Sequence, residues 1–173
     1  KLYKQFSDVH PNIVLKSEIL RTGIDISKAA VDNFSRRDDL LWKGFHLFSY
    51  DWDKMKVYGD KIPWYGHLED GCFFMIRTHN NSPYLLDMEG SIFVIREKAS
   101  NEVLAKNVWF ERKPRFYDMK TSAGHQMGSI VQGQGRMLFV TMNKYCELWK
   151  NGEQCLFCNI NATMKDQKMG GED

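Results

Sequence analysis

The sequence predicts an α+β N-terminal domain over residues 1–135, followed by a second domain over residues 136–173. Apolar residues recur at helical spacing between residues 12 and 37. After Leu40 the chain changes to aromatic and β-branched runs separated by turn-forming residues, which indicates strands. A glycine-punctuated stretch at residues 132–135 precedes one more strand, so the domain boundary is placed there.

Two helices are expected in the first part of the N-terminal domain. Gly23 separates them, and Asp25 is predicted to cap the second, because an aspartate side chain accepts backbone N–H bonds at a helix start. The apolar positions of the two helices are Leu15, Ile19 and Leu20 in the first and Ile26, Ala30, Val31 and Phe34 in the second.

Five segments are predicted to be strands, and two of them form a hairpin. The strands cover residues 45–50, 72–77, 91–98, 103–111 and 137–142. A polar turn at residues 99–102 lies between the third and fourth segments, which is the pattern of two antiparallel strands joined by a short connection.

Composition and charge narrow the classes of function. The chain has 173 residues, of which 43% are hydrophobic, enough for an ordinary core. Lys and Arg number 24 against 22 Asp and Glu, and the net charge of +2 gives no electrostatic support for nucleic acid binding. Apolar runs are far shorter than the roughly 20 residues of a membrane-spanning helix, and the first residues do not show a signal peptide pattern. We therefore expect a soluble, cytoplasmic protein without a membrane partner.

Three of the four cysteines are clustered. Cys146, Cys155 and Cys158 follow the last strand with the spacing Cys-x8-Cys-x2-Cys, and Gly152 is available for a turn between them. Cys72 lies alone in an apolar run and is predicted to be a core thiol. Clustered thiols favour metal binding or redox chemistry in a reducing compartment over a disulfide framework.

The number of ligands favours an iron–sulfur cluster. A structural zinc ion normally takes four Cys or His ligands, and zinc here would need Cys72 or His125, both remote in sequence. A [4Fe–4S] cluster held by three cysteines leaves one iron open to a small chelating ligand. Two alternatives stay open: a zinc-stabilised binding module that uses the same cysteines, and a thiol oxidoreductase that uses Cys155 and Cys158.

The motif resembles that of the radical S-adenosylmethionine (SAM) superfamily. A cysteine, a spacer and then Cys-x-aromatic-Cys follow a strand, and Phe157 stands at the aromatic position. The first spacer is eight residues here, whereas it is three in the commonest form of the family. The resemblance covers residues 137–159. It implies that residues 136–173 are the first strand and cluster loop of a β/α TIM-type barrel that continues beyond Asp173.

The resemblance also implies cofactors and their contacts. The three clustered cysteines would hold a [4Fe–4S] cluster, and Phe157 would lie at the adenine of SAM. The methionyl amine of SAM would be bound by Gly170, Gly171 and Glu172. A reduced flavodoxin or ferredoxin-like protein would donate the electron that cleaves SAM and starts radical chemistry. The substrate is unknown, and the sequence identifies no catalytic side chain.

Overall fold

The computed structural model describes, in chain order, Tyr3, residues 6–41, Lys56, and residues 61–134, 137–140 and 146–158. The chain divides into two compact units, Lys1–Arg112 and Lys113–Asp173. The predicted domain boundary at residue 135 lies within the second unit. The division into units does not test it, so it stays a prediction. The predicted strand at residues 45–50 lies outside the described residues.

The described part of the first unit combines two helices with six strands. In chain order they are α1 (Pro11–Thr22), β1 (Asp25–Ile26), α2 (Lys28–Ser35), β2 (Tyr65–His67), β3 (Phe73–Met75), β4 (Tyr84–Glu89), β5 (Ile92–Glu97) and β6 (Val103–Val108). One mixed sheet has the order β1–β4–β5–β6, in which β1 is parallel to β4 and the other pairs are antiparallel. A separate antiparallel sheet consists of β2 and β3.

The residues at the two ends of helix α1 are of types that favour a helix start and a helix end. The Nδ1 atom of His10 accepts the N–H of Asn12 at 3.3 Å. Pro11 suits the first helical position because it lacks an N–H that the helix could not pair there. Gly23 follows the helix with φ 74°, and its N–H donates to the carbonyl of Ile19 at 2.8 Å. The predicted separation of the helices at Gly23 is confirmed.

The prediction that Asp25 caps the second helix is wrong. Ser27 is the N-cap of α2, and its Oγ accepts the N–H of Ala30 at 3.1 Å. Asp25 belongs to β1 instead, where it lies opposite Leu85 of β4, and its carboxylate pairs with Lys98 Nζ at 2.7 Å. The parallel pairing with a distant strand therefore decides the conformation at Asp25.

The predicted hairpin is confirmed by the pairing of β5 with β6. The two strands are antiparallel, with Arg96 opposite Val103. Strand β6 ends at Val108 rather than at residue 111, because Trp109 and His67 exchange two backbone hydrogen bonds of 2.9 Å. The chain thus passes from the four-stranded sheet to a bridge with β2.

Aromatic rings from helix and sheet build the core of the first unit. Phe34 of α2 is fully buried and stacks on Phe93 of β5, with 4.8 Å between ring centroids. It also meets the edge of Phe110 at 4.9 Å. Cys72 packs against this core, and burial raises the pKa of its thiol. The prediction of a core thiol is confirmed in part, because Cys72 packs against the core but is only half-buried.

Replacing Phe34 by Ala is expected to lower the free energy of unfolding by about 3–5 kcal/mol, because a buried ring is lost and a cavity remains. Ile13→Ala is the matched control in α1, since Ile13 is 51% exposed. Its expected change is about 0.5 kcal/mol. Chemical denaturation followed by circular dichroism measures both variants. A loss at Phe34 no larger than that at Ile13 would contradict this packing.

The second unit has short elements. Within its described residues these are two 3₁₀ turns (Arg115–Asp118 and Met127–Ser129), strands β7 (Val131–Gln134) and β8 (Met137–Val140), and the one-turn helix α3 (Glu147–Lys150). Strands β7 and β8 form an antiparallel pair with Gln134 opposite Met137. Among the helices of both units that the structure describes, none is long and apolar enough to cross a membrane.

The expectation of a β/α TIM-type barrel that begins at residue 136 is wrong. That prediction required β8 to be the first parallel strand, but β8 pairs antiparallel with β7. Only two residues lie between Gln134 and Met137, and a connection this short joins antiparallel strands, whereas parallel strands need a crossover of a dozen or more residues. Over the described residues, the sheets are one mixed four-stranded sheet and two two-stranded sheets.

Candidate metal-binding segment

The three clustered cysteines lie on residues 146–158, called the cysteine segment below. Cys146 is half-buried and is the N-cap residue of α3. Its carbonyl accepts the N–H groups of Trp149 at 3.1 Å and Lys150 at 3.2 Å. Glu147 in the first turn and Lys150 in the last carry the charges that favour the two ends of a helix. The first cysteine therefore stands where the helix begins.

Helix α3 ends in a glycine turn. Gly152 has φ 75°, a left-handed conformation that glycine adopts without steric cost. Its N–H donates to the carbonyl of Trp149 at 3.3 Å, and the N–H of Glu153 donates to the carbonyl of Leu148 at 2.8 Å. These two bonds are those of the Schellman motif, which satisfies the last carbonyls of a helix. The prediction that Gly152 supplies a turn is confirmed.

Cys155 and Cys158 are the ends of one tight turn. The N–H of Cys158 donates to the carbonyl of Cys155 at 3.0 Å. Cys155 is exposed and Cys158 is half-buried. Leu156 and Phe157 form the tip of the turn, and Phe157 is 92% exposed. The turn therefore presents an accessible aromatic ring between two thiols.

One side-chain contact joins the helix to this turn. The indole Nε1–H of Trp149 donates to the Sγ atom of Cys158 at 3.4 Å. Trp149 was given no role by the sequence reasoning above. The tryptophan itself is the signal in the sequence that could have indicated this contact. An indole N–H that is partly removed from water usually has a hydrogen-bond acceptor. A cysteine sulfur is a weak acceptor when neutral and a stronger one when charged.

The donor set of the cysteine segment fits an iron–sulfur cluster in its chemistry. All four cysteines of the chain are thiols rather than disulfides, and three of them stand on this one short segment. The structure brings Cys155 and Cys158 into one turn but does not gather all three sulfurs: among the residues it describes, no three His, Cys, Asp or Glu side chains converge at metal-binding distance. Metal sites are commonly completed by the metal itself, because binding and folding are coupled.

The other predicted contacts have different outcomes. Gly170, Gly171 and Glu172 lie outside the described residues. His125, one of the two remote ligands that zinc could have used, is exposed, and its backbone N–H donates to Thr121 Oγ1 at 3.2 Å. The roles of all these residues in binding stay predictions.

A buried polar cluster in the first unit was missed by the sequence reasoning. Tyr65 donates its hydroxyl to Glu111 Oε2 at 2.7 Å. His67 Nε2 lies 3.2 Å from Glu111 Oε1, but off the hydrogen-bonding direction, so this is an ion-pair distance without an aligned hydrogen bond. The His67 ring is buried and stacks on Trp109, with 4.0 Å between centroids. Through these contacts His67 has a structural role in the packing of the first unit.

A cavity of about 650 Å³ opens in the first unit beside this cluster. Trp109, Glu111, Arg37 and Arg112 are among its lining residues. Arg37 makes two hydrogen bonds to the Asp39 carboxylate, at 2.9 and 2.8 Å, and these lower the pKa of Asp39. Arg112 Nε lies 3.7 Å from the same carboxylate. Both arginines of the cavity pair with Asp39, so their positive charges do not indicate a particular class of ligand.

Comparisons of the chain with protein-family models, with curated proteins and with solved structures find no match. The resemblance to radical SAM enzymes therefore depends on the residues of the cysteine motif.

Proposed function

We propose that the cysteine segment binds a [4Fe–4S] cluster through Cys146, Cys155 and Cys158, and that the protein is a radical SAM enzyme. The observation that carries the proposal is the arrangement of this segment. A one-turn helix begins directly after the first cysteine, a glycine turn follows, and the other two cysteines share one tight turn. Three thiols on so short a stretch are the ligands that such a cluster takes from a protein.

The residues of the segment have distinct roles in this proposal. The three thiolates are the metal ligands, and Gly152 gives the chain the turn that follows α3. Phe157, whose ring is accessible, would lie at the adenine of SAM. Gly170, Gly171 and Glu172 would bind the methionyl amine. No side chain is assigned to the step that follows SAM cleavage.

In this proposal the [4Fe–4S] cluster and its electron donor would supply the chemistry of SAM cleavage. A cluster held by Cys146, Cys155 and Cys158 would supply the single electron for reductive cleavage of SAM into methionine and a 5′-deoxyadenosyl radical. The role of the protein would be to orient SAM and to keep water away, so that hydrogen abstraction takes place on a substrate of unknown identity. A reduced flavodoxin or ferredoxin-like protein is the proposed source of the electron. We place the protein in the cytoplasm, where a reducing environment keeps exposed thiols such as Cys155 reduced.

A zinc-stabilised binding module is the second candidate. The tight turn between Cys155 and Cys158 favours it, since a pair of cysteines separated by two residues is also a common zinc-binding unit. In this alternative the cysteines have a structural role and SAM is not a ligand. The thiol oxidoreductase is less well supported, because it assigns no role to Cys146.

Metal analysis of the purified protein separates these candidates. After anaerobic reconstitution with iron and sulfide, we expect about four iron and four sulfide per chain, in nearly equal amounts, because the thiolates assemble a cubic cluster. In the control, the protein is first exposed to zinc, then treated with a chelator, and then reconstituted in the same way. One tightly held zinc per chain, with no uptake of iron and sulfide, would support the binding module and contradict the enzyme proposal.

A further inference from the structure

The turn that joins Cys155 to Cys158 has the backbone geometry that a disulfide needs. The N–H of Cys158 donates to the carbonyl of Cys155 at 3.0 Å, which closes a turn of four residues. In such a turn the first and last Cα atoms lie within about 7 Å of each other, and a disulfide joins Cα atoms that are about 4.4–6.8 Å apart. The two sulfurs can therefore be joined without a large rearrangement of the backbone.

The two thiols of this turn differ in their access to solvent. Cys155 is exposed and Cys158 is half-buried, so an oxidant dissolved in water reaches Cys155 first. The indole N–H of Trp149 donates to Cys158 Sγ at 3.4 Å. A hydrogen bond of this kind favours a charged sulfur, and the thiolate is the form that attacks a second sulfur. The geometry thus suits Cys155 to be oxidised and Cys158 to react with the oxidised sulfur.

We propose that Cys155 and Cys158 are an oxidation-sensitive pair, which a peroxide converts to a disulfide when no metal is bound. This modification goes beyond the proposed function, and it differs from the thiol oxidoreductase because it needs no protein substrate. It forms in the metal-free chain, so its test does not depend on whether a cluster is assembled. Closure removes both thiols as metal ligands, because metals bind thiolates.

The reaction has two steps, and hydrogen peroxide is the oxidant. In the first, the Cys155 thiolate attacks one peroxide oxygen, the O–O bond breaks, and the leaving hydroxide takes up a proton to become water. The product is a sulfenic acid at Cys155. In the second, the Cys158 thiolate attacks the sulfenic sulfur, the S–O bond breaks, and a second water leaves as the disulfide forms. The two thiols lose two electrons and two protons in total, and the peroxide is reduced to water.

The other two cysteines of the chain are expected to stay out of this disulfide. Cys72 belongs to the first unit, and burial raises the pKa of its thiol, which slows its reaction with peroxide. Cys146 is half-buried and is separated from the turn by α3 and the glycine turn. Trypsin cuts after Lys150, so Cys146 leaves on a different peptide from the pair, and the two can be followed separately.

Mass spectrometry of the metal-free full chain tests the pair. The protein is treated with a chelator and a reductant, freed of both, and exposed to a small excess of hydrogen peroxide. We expect the intact mass to fall by about 2 Da, with the loss confined to the peptide that holds both Cys155 and Cys158, and reversed by a dithiol reductant. A disulfide that includes Cys72 or Cys146, or a mass that only rises through added oxygen, would overturn the proposal.

Two serine variants test the separate roles of the thiols. In Cys158→Ser we expect the reaction to stop at the sulfenic acid of Cys155, which dimedone traps, because the second thiol is gone. In Cys155→Ser we expect neither the disulfide nor a trapped sulfenic acid at the remaining thiol in the same time. Cys72→Ala is the control and should form the disulfide as the unmodified protein does. Sulfenic acid that is trapped at Cys158 rather than at Cys155 would contradict the assigned order.

Discussion

Replacing any one of Cys146, Cys155 or Cys158 by Ala is expected to abolish the brown iron–sulfur cluster. Each thiolate is bonded directly to one iron in the proposal, and three such ligands leave one of the four irons open. Loss of a single ligand therefore removes the cluster rather than weakening it by a small factor. The iron and sulfide content after anaerobic reconstitution measures the effect.

Cys72→Ala is the matched control for the three ligand variants. Its thiol packs against the core of the first unit, and burial raises its pKa, which disfavours the thiolate that metals bind. We expect Cys72→Ala to keep the full cluster with at most a modest loss of stability. A full cluster in Cys146→Ala would reject the three-ligand proposal, and a cluster lost only in Cys72→Ala would place the metal elsewhere.

Cleavage of SAM is expected to disappear in the same three cysteine variants. With dithionite as reductant, the reconstituted protein should form 5′-deoxyadenosine even without its true substrate, because an electron and SAM are the only requirements for this step. Chromatography of the quenched reaction measures the product. Formation of 5′-deoxyadenosine by Cys155→Ala at the level of the unmodified protein would contradict the assignment.

Phe157→Leu is expected to have a much smaller effect than the cysteine variants. The ring is 92% exposed and therefore accessible to the adenine. An aromatic contact contributes about 0.5–1.5 kcal/mol to binding, which is at most about tenfold in affinity. Binding of SAM should therefore weaken by up to about tenfold while cleavage at saturating SAM continues. Complete loss of cleavage in Phe157→Leu, with a full cluster, would show that this residue has a larger role than adenine contact.

Elements with local signals are predictable from this sequence. Gly23 ends α1, and the polar turn at residues 99–102 joins β5 to β6, because neighbouring residues decide both features. Strand β1 is not predictable in the same way. Its two residues are extended because they pair with Leu85 and Leu86 far along the chain, and no local pattern reports that pairing.

The predicted barrel failed for a related reason. A motif over residues 137–159 suggests metal ligands, but it does not indicate which strand pairs with the strand that precedes the cysteines. Gly133 lies in β7, which pairs antiparallel with β8, and the motif contains no signal for this pairing. The glycine turn of the cysteine segment is predictable, because Gly152 permits a left-handed conformation. The Trp149–Cys158 contact is not, because it depends on how that turn returns the chain toward α3.

The most direct test of the central claim is the electron paramagnetic resonance spectrum of the reduced, reconstituted protein with and without SAM. If three cysteines hold a [4Fe–4S] cluster and one iron is open, SAM binds at that iron and the spectrum changes, with half the effect reached at a defined SAM concentration. Adenosine, which lacks the methionyl amine and carboxylate, is the control and should leave the spectrum unchanged. A spectrum that stays the same at saturating SAM, in a protein with full iron and sulfide content, would contradict the radical SAM proposal and indicate a structural or electron-transfer cluster.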